Sequence, residues 1–273
     1  VISDFGTVDY FALETLTLGV FNVWLGMNSL SGASQISSVL FLIVVVLLTL
    51  EYLARRNQRF HEKSSGQNIM PEQEISTFSK VMCLISCLIP FTLGFLIPVI
   101  ILLNFVLSGF AVINFNEILE TTFASISLSF LAATLVMFIS FLMIVVSSYK
   151  SNSFQKIIIF LASCGYAFPG TILAVGIVVF IGWLNKLIHF HASYFIGGFM
   201  VLMFAYTIRF LAVGNGAIRS GVTRIHPNLM DASRTMGVSF FHSLRRIIFP
   251  LVYINILVGG ILVFVDILKE LPI

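Results

Sequence analysis

The stretch from Val81 to Leu107 contains no Asp, Glu, Lys, Arg or His. Crossing a bilayer takes roughly 20 predominantly apolar residues of α-helix, and this run exceeds that. Inside a bilayer each backbone N–H and C=O must find a partner within the protein, so such a run has to be helical. Comparable apolar stretches recur at Ile36–Leu53, Leu119–Val146, Ile157–Leu184 and Ser193–Val213, and a further one opens near Ile247. Only 10% of the residues are charged and 58% are hydrophobic, against about 25% charged in soluble domains. The mean hydropathy is +1.04. The expectation is an all-α, polytopic transmembrane helical bundle. Pro90 and Pro98 predict kinks in the second span, where neighbouring groups satisfy the freed carbonyls.

Charge gives the orientation. Residues 1–35 carry Asp4, Asp9 and Glu14 but no Lys or Arg, and read as an external or interfacial segment. Leu16–Met27 is too short to span and, with Trp24 near its end, reads as an interfacial or re-entrant helix. Residues 36–273 read as the transmembrane domain, with about six spans. Arg55, Arg56, Arg59 and Lys63 follow the first span closely. Placing the connections after spans one, three and five in the cytoplasm puts every one of the 15 Lys and Arg residues there except Lys186 and Lys269. Arg209 is counted among the cytoplasmic ones. The positive-inside rule favours that arrangement.

Between spans five and six lies a polar stretch, residues 214–246, expected to be a cytoplasmic loop. Ile225, Leu229, Ala232 and Met236 recur at helical spacing. Pro227 suits a first helical turn, and Gly237 falls where a helix would end in a left-handed residue. A second short helix then follows, with Val238, Phe241, Leu244 and Ile248 on one face and Ser239, His242, Arg245 and Arg246 on the other. Neither piece is long enough to span.

The order Asp231-Ala232-Ser233, three residues, Gly237, nine residues, Ile247, one residue, Phe249-Pro250 resembles the EAA loop of ABC-importer permeases. That pattern reads E-A-A, then G, I and L-P at the same offsets; here Asp, Ser and Phe replace Glu, the second Ala and Leu. The resemblance implies an element that docks into a groove on a cytoplasmic ATP-binding subunit, with Leu229, Asp231, Ala232, Ser233, Met236, Gly237, Ile247 and Pro250 forming it. The opening DFGTVDYFALETLTLGVFNVWLGM, the block Gly165–Ile177 and FVDILKELP at Phe264–Pro272 resemble segments of the fused, two-half permeases of ferric-iron ABC importers. This implies a second permease half in a bacterial inner membrane. Its implied partners are a dimer of ATP-binding subunits, a periplasmic substrate-binding protein and the other permease half. Ferric iron is the implied cargo; related permeases carry thiamine, polyamines and other small solutes. Val1 in place of an initiator Met and the end at Leu271-Pro272-Ile273 suggest a piece of a longer chain.

Asp266, Lys269 and Glu270 lie at i, i+3 and i+4 late in the sixth apolar run. Charges at membrane depth are expensive and face protein or water. They fit the lining of a solute path, since carboxylates suit hard cations, and equally an Asp266–Lys269 pair with an interfacial Glu270. Gly165–Thr171 fits either a kinked packing helix or a gate. Cys83, Cys87 and Cys164 sit in apolar runs and read as packing thiols. His189 and His191 have no third ligand near them in sequence, so no metal site is expected. The chain has no Walker A pattern, no Gly-x-Ser-x-Gly and no His-Glu-x-x-His. It is therefore read as non-catalytic, holding no cofactor and no nucleic acid, with ATP used by the partner subunit. A secondary transporter or channel would carry more ionisable residues in mid-span.

Overall fold

The computed structural model describes residues 6–11, 13–55, 76–109, 115–149, 152–188, 198–225, 229, 233 and 235–270. The chain divides into two compact units, one made of residues 1–57 and 124–273 and the other of residues 58–123. All regular structure among the described residues is helical. Among the described residues, five helices are long and apolar enough to cross a membrane, or up to 6 spans if a bent helix pair is counted as one. The chain is thus an all-α, polytopic membrane protein.

In the smaller unit, α4 (Thr77–Phe91) runs through a π-helical turn, Thr92–Leu96, into α5 (Ile97–Gly109). The turn lies between Pro90 and Pro98, whose missing N–H groups interrupt the backbone ladder. Thr92 Oγ1 donates to the Leu88 carbonyl at 2.9 Å. The expected interruption at the two prolines thus appears as a π-helical turn inside one candidate span, Thr77–Gly109.

In the larger unit, α1 (Gly6–Tyr10) precedes α2 (Leu16–Phe21), which is extended by a π turn at Asn22–Gly26. Thr15 caps α2 by accepting the Leu18 N–H at 3.4 Å. Residues Leu16–Gly26 form an apolar helix shorter than a span. Ser29 then caps α3 (Leu30–Arg55), its Oγ accepting the Gly32 N–H at 3.2 Å. Val20, Ala33 and Val175 close a small core there.

The main core joins α6 (Phe115–Tyr149), α9 (Phe199–Val222) and α11 (Phe249–Leu268). On α6 the buried residues Ala132, Val136, Ser140 and Ile144 recur at helical spacing. On α9 the buried set is Tyr206, Phe210, Gly214 and Ile218, and on α11 it is Val252, Gly259, Val263 and Ile267.

Three expectations change. The fourth span is not one kinked rod: α7 (Ser153–Cys164) with its 3-10 turn (Gly165–Ala167) and α8 (Gly170–Ile188) meet at 116°. Second, α9 continues to Val222, so residues 214–222 are helix rather than loop. Arg209 accordingly lies within a membrane-length helix, not in a cytoplasmic connection. Third, the second surface helix is the start of the last span. The helix α10 (Phe240–Ser243) passes through a π turn (Leu244–Ile248) straight into α11, and Phe241–Leu268 reads as one candidate span.

Candidate functional site

Two features stand out, at separate positions along the α9–α11 hairpin. The first is the connection itself. Past Val222 the backbone closes with short turns, Thr223 N–H to Arg219 O at 2.9 Å and Arg224 N–H to Gly221 O at 3.2 Å. Leu229, Ser233 and Thr235 are helical. Gly237 has φ +70°, and the Val238 N–H reaches back to the Ser233 carbonyl at 3.1 Å. A left-handed residue followed by that long backbone bond is a Schellman cap. The Ser239 carbonyl then accepts the His242 and Ser243 N–H groups at 3.1 and 3.0 Å, which starts the next helix two residues later.

This hinge leaves apolar side chains in the open. Met236 is 79% and Phe241 78% exposed, and Leu229 is exposed as well. Ser233 and Ser243 are buried, as is Ile248. Of the residues expected on one face, Phe241 is thus exposed, Leu244 half-buried and Ile248 buried. Ile247 is half-buried and Pro250 exposed. Arg245 and Arg246 are exposed beside them. Asp231 and Ala232 lie outside the described residues.

The second feature is an ion pair that the sequence reading missed. Arg209 Nη2 sits 3.1 Å from Glu270 Oε2, with side chains only 6% and 10% exposed. Arg209 Nη1 donates to the Phe168 carbonyl at 3.1 Å, and the guanidinium lies 5.8 Å from the centre of the Phe210 ring. Arg209 Nε has no partner among the described residues. Burial pushes the Glu270 carboxyl above its ordinary range, and the nearby Arg209 charge draws it part of the way back. The signal for this pair was an arginine inside the apolar run FMVLMFAYTIRFLAV. An ionisable residue at such depth calls for a counter-charge.

Phe168 precedes Pro169, which holds it extended (φ −82°, ψ 136°). The Ile172 and Leu173 N–H groups both go to the Pro169 carbonyl, so α8 does not claim the carbonyl of Phe168. Arg209 supplies the donor. Gly165, one turn earlier, lies so close to α9 that a Cβ there would run into the Ile208 carbonyl.

Asp266, Lys269 and Glu270 do not act as one set. Lys269 Nζ pairs with Asp266 at 2.6 Å and is 67% exposed, whereas Glu270 is committed to Arg209. The hydrogen bond from Lys269 to Asp266 holds the ammonium above its ordinary range. No group of three or more His, Cys, Asp or Glu that could hold a metal occurs among the described residues. His189 and His191 lie outside them. Cys83 and Cys87 are exposed on α4, and Cys164 is half-buried at the end of α7.

Membrane-length helices and a hinged connection carrying exposed apolar and basic residues define a class: the polytopic α-helical membrane protein. Residues 140–273 match the model of the family described as binding-protein-dependent transport system inner membrane component. The match begins within α6 and covers the broken span, the hinge and α11, and it supports an inner-membrane permease of an ABC transport system. Such permeases are non-catalytic membrane components working with an ATP-binding subunit. No curated protein matches the chain.

Proposed function

We propose that this chain is the permease subunit of an ATP-driven importer in a bacterial inner membrane, with ferric iron as cargo. The hinge around Gly237 is its coupling element. Leu229, Met236 and Phe241 enter a groove on a cytoplasmic ATP-binding subunit, and Arg245 and Arg246 meet its carboxylates or lipid headgroups. Asp231, Ala232, Ser233, Ile247 and Pro250 complete the element. One observation carries the reading: inside the family-matched region, a Schellman-capped hinge between two membrane-length helices leaves large apolar side chains unburied. Burying one such side chain is worth about 1.5–3 kcal/mol, so a few suffice to hold a joint. A periplasmic binding protein delivers the solute and another permease half completes the route.

Asp266 and Lys269 are the proposed lining of that route, because Lys269 is open to its surroundings while Glu270 is engaged elsewhere. The cargo rests on the likeness of the DFGTVDYFALETL, Gly165–Ile177 and Phe264–Pro272 blocks to ferric-iron permeases. The test is ATP-dependent uptake by vesicles carrying the full complex, offered ferric iron, thiamine and a polyamine in turn. Uptake of iron alone supports the full reading. Uptake of another solute keeps the importer and replaces the cargo, and ATP-independent uptake overturns both. Asp266→Asn is expected to slow uptake; an unchanged rate removes Asp266 from the route.

A further inference from the structure

The helices leading into and out of the hinge are fastened to each other at three levels. Nearest the hinge, Asn255 Nδ2 donates to Ser220 Oγ at 3.0 Å, and Gly221 leaves room for the Asn255 side chain. Further along, Gly259 lies against Ala217, where an added Cβ would come within 2.5 Å of the alanine methyl. Furthest from the hinge, Arg209 of α9 holds Glu270, just past the end of α11. Sliding one helix along the other would have to break a hydrogen bond, unseat a glycine contact and separate two buried charges together. Tightly packed interfaces of this kind switch between discrete arrangements rather than deform continuously.

The far level does more than close the hairpin. The same guanidinium that binds Glu270 also holds the Phe168 carbonyl at the break between α7 and α8. The neighbouring Ile208 carbonyl is the surface on which Gly165 rests. The broken span is therefore attached to the hairpin at the first residue of its 3-10 turn and at the residue just after it. We propose that α9 and α11 form one rigid lever leading from the hinge, and that Arg209 is the positioning residue that carries its movement to the break between α7 and α8. This rests on reading the hinge as a coupling element.

Cys164, the last residue of α7, is a built-in reporter of the break. It lines a groove of about 710 Å³ together with Phe41 and Phe168. In the full complex carrying Cys83→Ser and Cys87→Ser, maleimide labelling of Cys164 is timed with the ATP-binding subunit empty and ATP-bound. The expected difference in rate is about fivefold or more, as for an ordinary coupling between two sites. Glu270→Gln removes the charge at nearly constant size. Arg209→Lys keeps the charge but replaces the planar fork with a single ammonium that cannot hold both partners in the same geometry. In each, the nucleotide-dependent difference is expected to shrink to about twofold or less, while the ATP-binding subunit still co-purifies and hydrolyses ATP.

Should Arg209→Lys impair assembly, Asn255→Ala loosens the lever next to the hinge without touching the buried charges, and is expected to weaken the same response. Full response in the assembled variants, or equal labelling of the parent in both nucleotide states, overturns the lever. Intact ATP-driven uptake with a silent Cys164 counts against the lever alone. Absent uptake in the parent counts against the importer.

Discussion

Gly237 has open space where a Cβ would go, so any side chain there is opposed by the backbone and not by a neighbour. At φ +70° an ordinary L-residue costs about 1–2 kcal/mol. Gly237→Ala should lower the thermal midpoint by that equivalent and slow ATP-driven uptake. Gly237→Asn, whose side chain tolerates the left-handed region, should fall between the two. Equal behaviour of all three would mean that the cap does not set the hinge angle. Glu270 gives a second residue-scale expectation. Its carboxyl is raised by burial, so in the window above the ordinary carboxylate range the folded chain holds a proton that the unfolded chain releases. Stability therefore falls as pH rises through that window. Glu270→Gln should remove this component from a plot of melting temperature against pH, and Arg209→Gln should enlarge it, because the opposing positive charge is gone. A pH profile identical in the parent and Glu270→Gln would show that Glu270 keeps an ordinary affinity for its proton.

At the scale of elements, the break between α7 and α8 depends on a contact that no local pattern contains. The residues Gly165, Pro169 and Gly170 announce an interruption, and the sequence reading placed a kink or gate there. The size of the bend depends on what lies against it: the α9 backbone at Ile208 and the Arg209 guanidinium on the Phe168 carbonyl. Those partners are some forty residues away in sequence, as the 41-residue separation of that hydrogen bond shows. The run Gly214-Asn215-Gly216 would end a helix in many soluble chains. Here Gly214 seats α9 against Ser140 and Asn215 is buried, so packing carries the helix on to Val222. The hinge was more legible, because a left-handed glycine cap is a local requirement that Gly237 meets by itself. A pair of substitutions checks the account of the break. Gly165→Ala forces a methyl into the Ile208 carbonyl and should destabilise by about 1–3 kcal/mol or more, as overpacking does. Gly176→Ala, on α8 with nothing within 4 Å of the added carbon, should be neutral or stabilise by up to about 1 kcal/mol, as expected for alanine in a helix. Thermal unfolding in detergent reads both; equal losses would place the sensitivity in α8 at large.

At the scale of the whole molecule, the apolar surface divides into two kinds. Most exposed apolar residues lie on the membrane-length helices, where lipid tails are a sufficient environment. Met236 lies outside those helices, and Phe241 stands at the very first residue of the last one. They flank the left-handed glycine and stand beside His242, Arg245 and Arg246, a mixture of apolar and basic groups that suits an interface better than the hydrocarbon interior. Phe and Met are enriched at protein interfaces, and fully buried anchors carry most of the binding energy. If a partner covers this end of the hairpin, Met236→Asp and Phe241→Asp should each remove about 1.5–3 kcal/mol of burial and add the cost of an unpaired carboxylate. Co-purification of the ATP-binding subunit should then drop by at least about tenfold. Neither side chain belongs to the main core, so the melting temperature of the permease alone should stay close to that of the parent. Leu257→Asp, at an exposed position on α11, should behave in the opposite way, impairing membrane insertion while leaving the docking surface untouched. Unchanged co-purification in Met236→Asp and Phe241→Asp would take these side chains out of the docking surface and move the coupling contact to another part of the connection.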